Sequence, residues 1–180
     1  MYKTIPIISL LILFFSTASA RENYIYTRIS QKEGLTSTIN SIYKEKDGDV
    51  WLGTPNGLYS FNGHTLRNHQ DSILAGRRVF QTGIDRNGDF WILTNRGPLK
   101  KRGSDLEVVT PSGENDENHP FQCMFQDDEG IWFGSNRRIY RYTFSDSSLT
   151  LFKDLNEQPS FVINSIILLD ENTLLCGSHN

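Results

Sequence analysis

The residues with the most reactive side chains are four histidines, His64, His69, His119 and His179, and two cysteines, Cys123 and Cys176. None of the histidines stands at a metal-ligand spacing, and each falls in a turn or outer-strand position. The chain has no phosphate-cradling glycine loop, no H-E-x-x-H zinc pair and no G-x-S-x-G nucleophile elbow. Asp85-x-Asn87-x-Asp89 imitates the start of a calcium loop, but Phe90 occupies the position that needs glycine and Arg96 the position of the bidentate acid. Similar acids recur at Glu45, Asp47 and Asp49 and at Asp127, Asp128 and Glu129, where turn chemistry accounts for them. A glycosidase needs two carboxylates at a fixed separation, and no pair stands apart from these turn acids. The expectation is a non-enzymatic chain with no cofactor, no metal and no catalytic residue.

The elements around these residues are marked by composition and repetition. The chain has 180 residues, a formal net charge of -3 and 12 % aromatic residues. That aromatic content calls for a packed core. The slightly acidic balance argues against a nucleic-acid partner. The basic pairs and runs Arg77-Arg78, Lys100-Lys101-Arg102 and Arg137-Arg138 fall at different places in the repeats and are expected to be solvated. Lys3, the apolar run Ile5 to Phe15 and Ser16-Thr17-Ala18-Ser19-Ala20 read as a signal peptide over residues 1–20, cleaved after Ala20. No other apolar run is long enough to span a membrane. The remainder is expected to be exported to the periplasm. In that oxidising compartment Cys123 and Cys176 are expected to stay buried free thiols, because non-equivalent strands rarely bring Cα atoms within disulfide reach.

Trp51, Trp91 and Trp132 are spaced by 40 and 41 residues, and their surroundings match. Asp47-Gly48-Asp49-Val50-Trp51-Leu52-Gly53-Thr54 is followed by Asn87-Gly88-Asp89-Phe90-Trp91-Ile92-Leu93-Thr94 and by Glu129-Gly130-Ile131-Trp132-Phe133-Gly134-Ser135. A weaker copy puts Leu175 in the Trp position, 43 residues on. Each repeat reads as four short strands joined by Gly-containing turns. The second strand of each is apolar on consecutive residues, as a strand covered on both faces should be. Such units of about 40 residues are blades of a β-propeller. The three tryptophans and Leu175 are accordingly expected to be repeat-core residues. The organisation is a lead-in with an outer strand at Tyr24 to Ile29 over 21–36, blade 1 over 37–70, blade 2 over 71–110, blade 3 over 111–152 and a partial blade 4 over 153–180. The fold expected is an all-β, open arc of about three and a half blades.

The first repeat resembles the two-component regulator propeller repeat. It carries Ile42-x-x-Glu45-x-x-Gly48-x-Val50-Trp51-Leu52-Gly53-Thr54 and then Gly57-Leu58-Tyr59-Ser60-Phe61. Repeat two departs with Leu93 for Gly and Gly97-Pro98 for Gly-Leu, and repeat three with Arg138 for the second Gly. The lead-in from Ile29 to Thr36 is similar to the start of the sensor half of a Bacteroides-type hybrid two-component system. This resemblance implies an N-terminal part of a periplasmic sensor that detects carbohydrate breakdown products, with an oligosaccharide as ligand and the remaining blades and a sensor kinase in cis. A free-standing binding or scaffolding propeller and a fragment of a propeller carbohydrate-active enzyme are the alternatives.

Antiparallel alternation puts the first and third turns of every blade on one side of the arc. The second turns and the long crossovers lie on the other. Longer loops are the usual carriers of binding function. The candidate ligand face is therefore the second one, with Asn56, Asn95, Arg96, Asn136 and Arg137.

Overall fold

The computed structural model describes residues 26, 28–46, 48–70, 73–113, 119–156 and 161–179. The signal-peptide segment and Asp47 lie outside the described residues. Three meanders of four antiparallel strands are followed by one hairpin. Blade 1 is β1 (Ser41–Lys44), β2 (Val50–Thr54), β3 (Gly57–Phe61) and β4 (Leu66–His69). Blade 2 is β5 (Val79–Ile84), β6 (Phe90–Thr94), β7 (Gly97–Arg102) and β8 (Asp105–Val108). Blade 3 is β9 (Phe121–Gln126), β10 (Gly130–Ser135), β11 (Arg138–Thr143) and β12 (Ser148–Asp154), and β13 (Val162–Asp170) pairs with β14 (Thr173–His179). The fold is all-β, an incomplete arc of propeller blades.

The blades join through their first strands. β5 packs on β1 and β2, β9 on β5 and β6, and β13 on β9 and β10. Three apolar layers fill the junctions. Trp51, Leu58, Val79, Phe90 and Ile92 join blades 1 and 2. Trp91, Leu93, Phe121, Phe133 and Tyr140 join blades 2 and 3. Cys123, Ile139, Ile163 and Ile166 join blade 3 to the hairpin. The middle strands β2, β6 and β10 are thus covered on both faces, which is why their apolar residues run without alternation. Polar bonds cross the same junctions. Asn40 Nδ2 donates to Val79 O at 2.7 Å, and the amide of Met124 donates to Gln81 Oε1 at 2.8 Å.

The repeated glycine after the tryptophan has a steric cause. A Cβ on Gly53 would lie 2.8 Å from Val79 Cγ1, and one on Gly134 would lie 2.6 Å from both Cys123 Sγ and Ile163 Cγ2. Val79 and Ile163 belong to the next blade's first strand, so the glycine lets that strand approach. Leu93 holds this position in repeat two and is wholly buried in the layer between blades 2 and 3. Gly134→Ala is expected to destabilise by about 1–3 kcal/mol through overpacking. Urea unfolding would measure it, and an unchanged midpoint would mean that the junction is looser than these distances require.

Four expectations need correction. Trp132 is half-buried, and Leu175 is 55 % exposed. β14 pairs with β13 alone among the described residues, so the Trp position of the fourth repeat is not enclosed as it is in β2 and β6. Tyr26, Arg28 and Ile29 form no strand; a 3-10 turn at Gln31–Glu33 follows, capped reciprocally by Ser30 and Glu33. Tyr24, Ile25 and Thr27 lie outside the described residues. Cys123 is buried as expected, whereas Cys176 is half-buried; neither forms a disulfide. Burial pushes the Cys123 thiol up to about 12.

The basic runs are not uniformly solvated either. Arg77 is 7 % exposed and Lys100 is 6 % exposed. Arg77 ties the first crossover to the second turn of blade 2, donating to Ile73 O, Thr94 Oγ1 and Arg96 O. Lys100 points across the junction to Tyr142 Oη at 3.2 Å and pairs with Glu107 at 3.0 Å. Burial works against its ammonium, but the bonds to Glu107 and Tyr142 outweigh that and raise its pKa.

Candidate functional site

The side of the arc that carries the first and third turns is built on one device used three times. The acid that ends the first strand of each blade accepts a hydrogen bond from the indole of that blade's tryptophan. The bonds are Trp51 Nε1 to Glu45 Oε1 at 3.0 Å, Trp91 Nε1 to Asp85 Oδ2 at 2.8 Å and Trp132 Nε1 to Asp127 Oδ2 at 2.7 Å. The second oxygen closes the turn in blades 2 and 3. Asp85 Oδ1 accepts from the amides of Asn87 and Asp89, and Asp127 Oδ1 from those of Glu129 and Gly130. These are Asx-turn contacts, and they occupy the carboxylates with structural bonds. Asp89 is held by Arg102 through two bonds of 2.7 and 2.5 Å, and its pKa is lowered by that guanidinium. Repeat three is one residue shorter and has Gly130 at the place of Asp89 and Thr143 at that of Arg102; Arg141, at the place of Lys100, bonds Asp127 at 2.6 Å and lies over the Trp132 ring at 4.4 Å.

Burial opposes the Asp127 charge, but Arg141, the turn amides and the Trp132 indole outweigh it and bring the carboxyl to about 2. A depressed folded-state value contributes stability above the unfolded value, here 3.8, and loses it as the pH falls through the folded one. The chain is therefore expected to lose this contribution between about pH 4 and pH 2. Asp127→Asn should flatten that part of the stability profile, read as urea midpoints across the range. A wild-type profile already flat there would show that the carboxylate is not held this way.

On the opposite side, Asn56, Asn95, Arg96, Asn136 and Arg137 all lie in second turns, as expected from topology. Asn95, Asn136 and Arg137 extend the blade ladders or bridge to the next strand. The Asn95 side chain accepts from the Arg78 amide at 2.8 Å, Asn136 bridges to Val162, and Arg137 O accepts from Leu155 N at 2.8 Å. Asn56 and Arg96 occupy like positions, their amides donating to Thr54 and Thr94 Oγ1. Arg137 takes a left-handed φ of 53°, one residue before the position of Gly57 and Gly97, because Arg138 replaces that glycine. A cavity on this side, bounded by Arg96, Val109, His119 and Phe121, holds about 10 Å³. That is room for about one water.

A larger groove, of about 550 Å³, opens on the side of the acid turns at the junction of blades 2 and 3. Arg86 and Asn87 form one bank; Asp128, Glu129 and Phe144 form the other. The sequence carries one mark of it. The strand pairing aligns Phe144 with Gly63 and Gly103, so an aromatic residue replaces a turn glycine in blade 3 alone.

Residues 33–56, which run from the 3-10 turn through β2 into the second turn, match the family model described as two component regulator propeller. The first blade carries a two component regulator propeller repeat. No curated protein matches the chain. Among solved structures, it is similar to the extracellular domain of BT4673 from B. thetaiotaomicron, described as a hybrid two component system. That match has 18% identity and a TM-score of 0.66 over 79% of this chain and 20% of that one. The extracellular domain of BT3049 from the same organism, with the same description, matches at 21% identity and a TM-score of 0.61, over 77% of this chain and 20% of that one. The computationally designed protein Ika4 matches at 15% identity and a TM-score of 0.55, over 81% of this chain and 88% of that one. The chain thus spans about a fifth of the two Bacteroides domains, and the likeness shows a shared fold.

Proposed function

We propose that this chain is the N-terminal part of the exported, periplasmic sensor domain of a two-component signalling protein and that it detects carbohydrate breakdown products. The observation that carries the reading is the regulator-propeller repeat in blade 1, set in an arc that resembles two extracellular domains described as parts of hybrid two component systems. In this reading the chain binds a ligand and transforms nothing. The remaining blades and the kinase belong to the same polypeptide, and residues 1–20 direct export. Glu45, Asp85, Asp89 and Asp127 are engaged with tryptophans, turn amides and arginines, which supports a structural role for these four acids. The test is incubation of the chain with xylo-, manno-, gluco- and galacto-tetrasaccharides, followed by calorimetry and chromatography of the sugars. Binding with the oligosaccharides recovered intact is expected. Shortened products, or no heat with any of them, would overturn the reading.

A further inference from the structure

The groove at the junction of blades 2 and 3 has the chemistry of a sugar subsite. Its volume of about 550 Å³ falls within the usual range of ligand clefts, about 300–1,000 Å³. Its apolar wall is Phe144, half-buried, with the Arg86 guanidinium 5.8 Å from the ring centroid. Phe144 is anchored from behind by Tyr142, 6.1 Å away in an edge-on arrangement, and its amide donates to Glu129 O. The bank opposite is equally fixed. The Arg86 amide donates to Gln126 Oε1 at 3.0 Å, and Arg86 Nη1 donates to the Asp128 carbonyl.

That leaves Arg86 Nε and Nη2, the Asn87 amide group, the Asp128 and Glu129 carboxylates and the Ser145 hydroxyl without a bond to another described residue. Arg86 and Asn87 thus bring N–H donors and one amide oxygen to one bank, and Asp128 and Glu129 bring carboxylate acceptors to the other, beside one aromatic ring. A hydroxyl is both donor and acceptor, so a polyhydroxylated ring can bridge the two banks while its C–H groups pack beside Phe144 and the Arg86 guanidinium that lies over it. Two carboxylates against one guanidinium disfavour an anionic ligand. The aromatic residue is also the one that departs from the repeat: where blades 1 and 2 need only Gly63 and Gly103 to turn, blade 3 places a phenyl ring at a solvent-facing turn.

We infer that this groove binds one unit of a neutral oligosaccharide, with Phe144 as its platform and Arg86 and Glu129 as its opposed polar contacts. The inference rests on the carbohydrate reading above and places the sugar on the side of the acid turns. The test uses the whole chain and the same four tetrasaccharides. Arg86→Ala with Glu129→Ala changes two exposed side chains, and Phe144→Leu keeps an apolar side chain at the turn; thermal melting would confirm that each variant folds. A third variant, Arg96→Ala with Arg137→Ala, probes the opposite side. The expected result is binding by wild type, weakened about tenfold or more in the first two variants and unchanged in the third. Binding that survives both groove variants would overturn the subsite and leave the carbohydrate reading standing. No binding by wild type to any of the four sugars would overturn both.

Discussion

Trp91→Ala should lower the free energy of unfolding by about 3–5 kcal/mol, the cost of truncating a large aromatic side chain in a packed interior. Trp91 is wholly buried, and it touches more than its own blade. Its ring lies 5.4 Å from Phe133 and 4.8 Å from Tyr142, both in blade 3, and the Lys100 ammonium sits 5.8 Å from it. Truncation would open a cavity in the layer that joins the two blades, where the surroundings cannot collapse without moving a strand. Trp132→Ala, at the same repeat position but half-buried, should cost distinctly less. Urea unfolding of the two variants checks the order. Equal losses would mean that the junction does not enclose Trp91. An unchanged Trp91→Ala midpoint accompanied by lost sugar binding would make the tryptophan a ligand platform.

Asp85→Ala should destabilise by about 3 kcal/mol, because it strands several donors together. The carboxylate is 6 % exposed and accepts from two turn amides and from the Trp91 indole. Removing it leaves the buried amide of Asp89 and the buried indole N–H unsatisfied, and an unmade buried bond costs more than a made one contributes. Asp85→Asn should cost less, about 1–2 kcal/mol, since its carbonyl can still close the turn while its NH2 faces the indole donor. Asp128→Ala is the control: that acid is exposed, and its loss should stay within about 0.5 kcal/mol. A double-mutant cycle between Asp85→Asn and Trp91→Phe would measure the coupling. Additive losses would show that carboxylate and indole do not act as a pair.

The sequence by itself determined the blade. Trp spacing, the Gly-containing turns and the unbroken apolar run of the second strand mark four strands in each of blades 1 to 3, as observed. Local turn chemistry and a doubly covered strand leave few other solutions. The same pattern identified the acid at each first turn, although not its partner. The bond from indole to carboxylate joins residues five or six apart across a hairpin, and only the antiparallel register brings them together. Burial was the part that sequence reported poorly. Trp51, Trp91, Trp132 and Leu175 occupy one repeat position, yet the first two are buried, the third is half-buried and the last is exposed. The reason is that enclosure comes from the neighbouring blade and not from the residue's own. Arg77 and Lys100 show the converse: charged runs read as solvated, but a crossover and a blade junction close over one residue of each. The groove lay beyond the sequence for the same cause. Arg86 and Phe144 are 58 positions apart in different repeats. Phe144 in a glycine's turn position was its one visible trace, and the packing of blade 3 against blade 2 decided that the two side chains share a cleft.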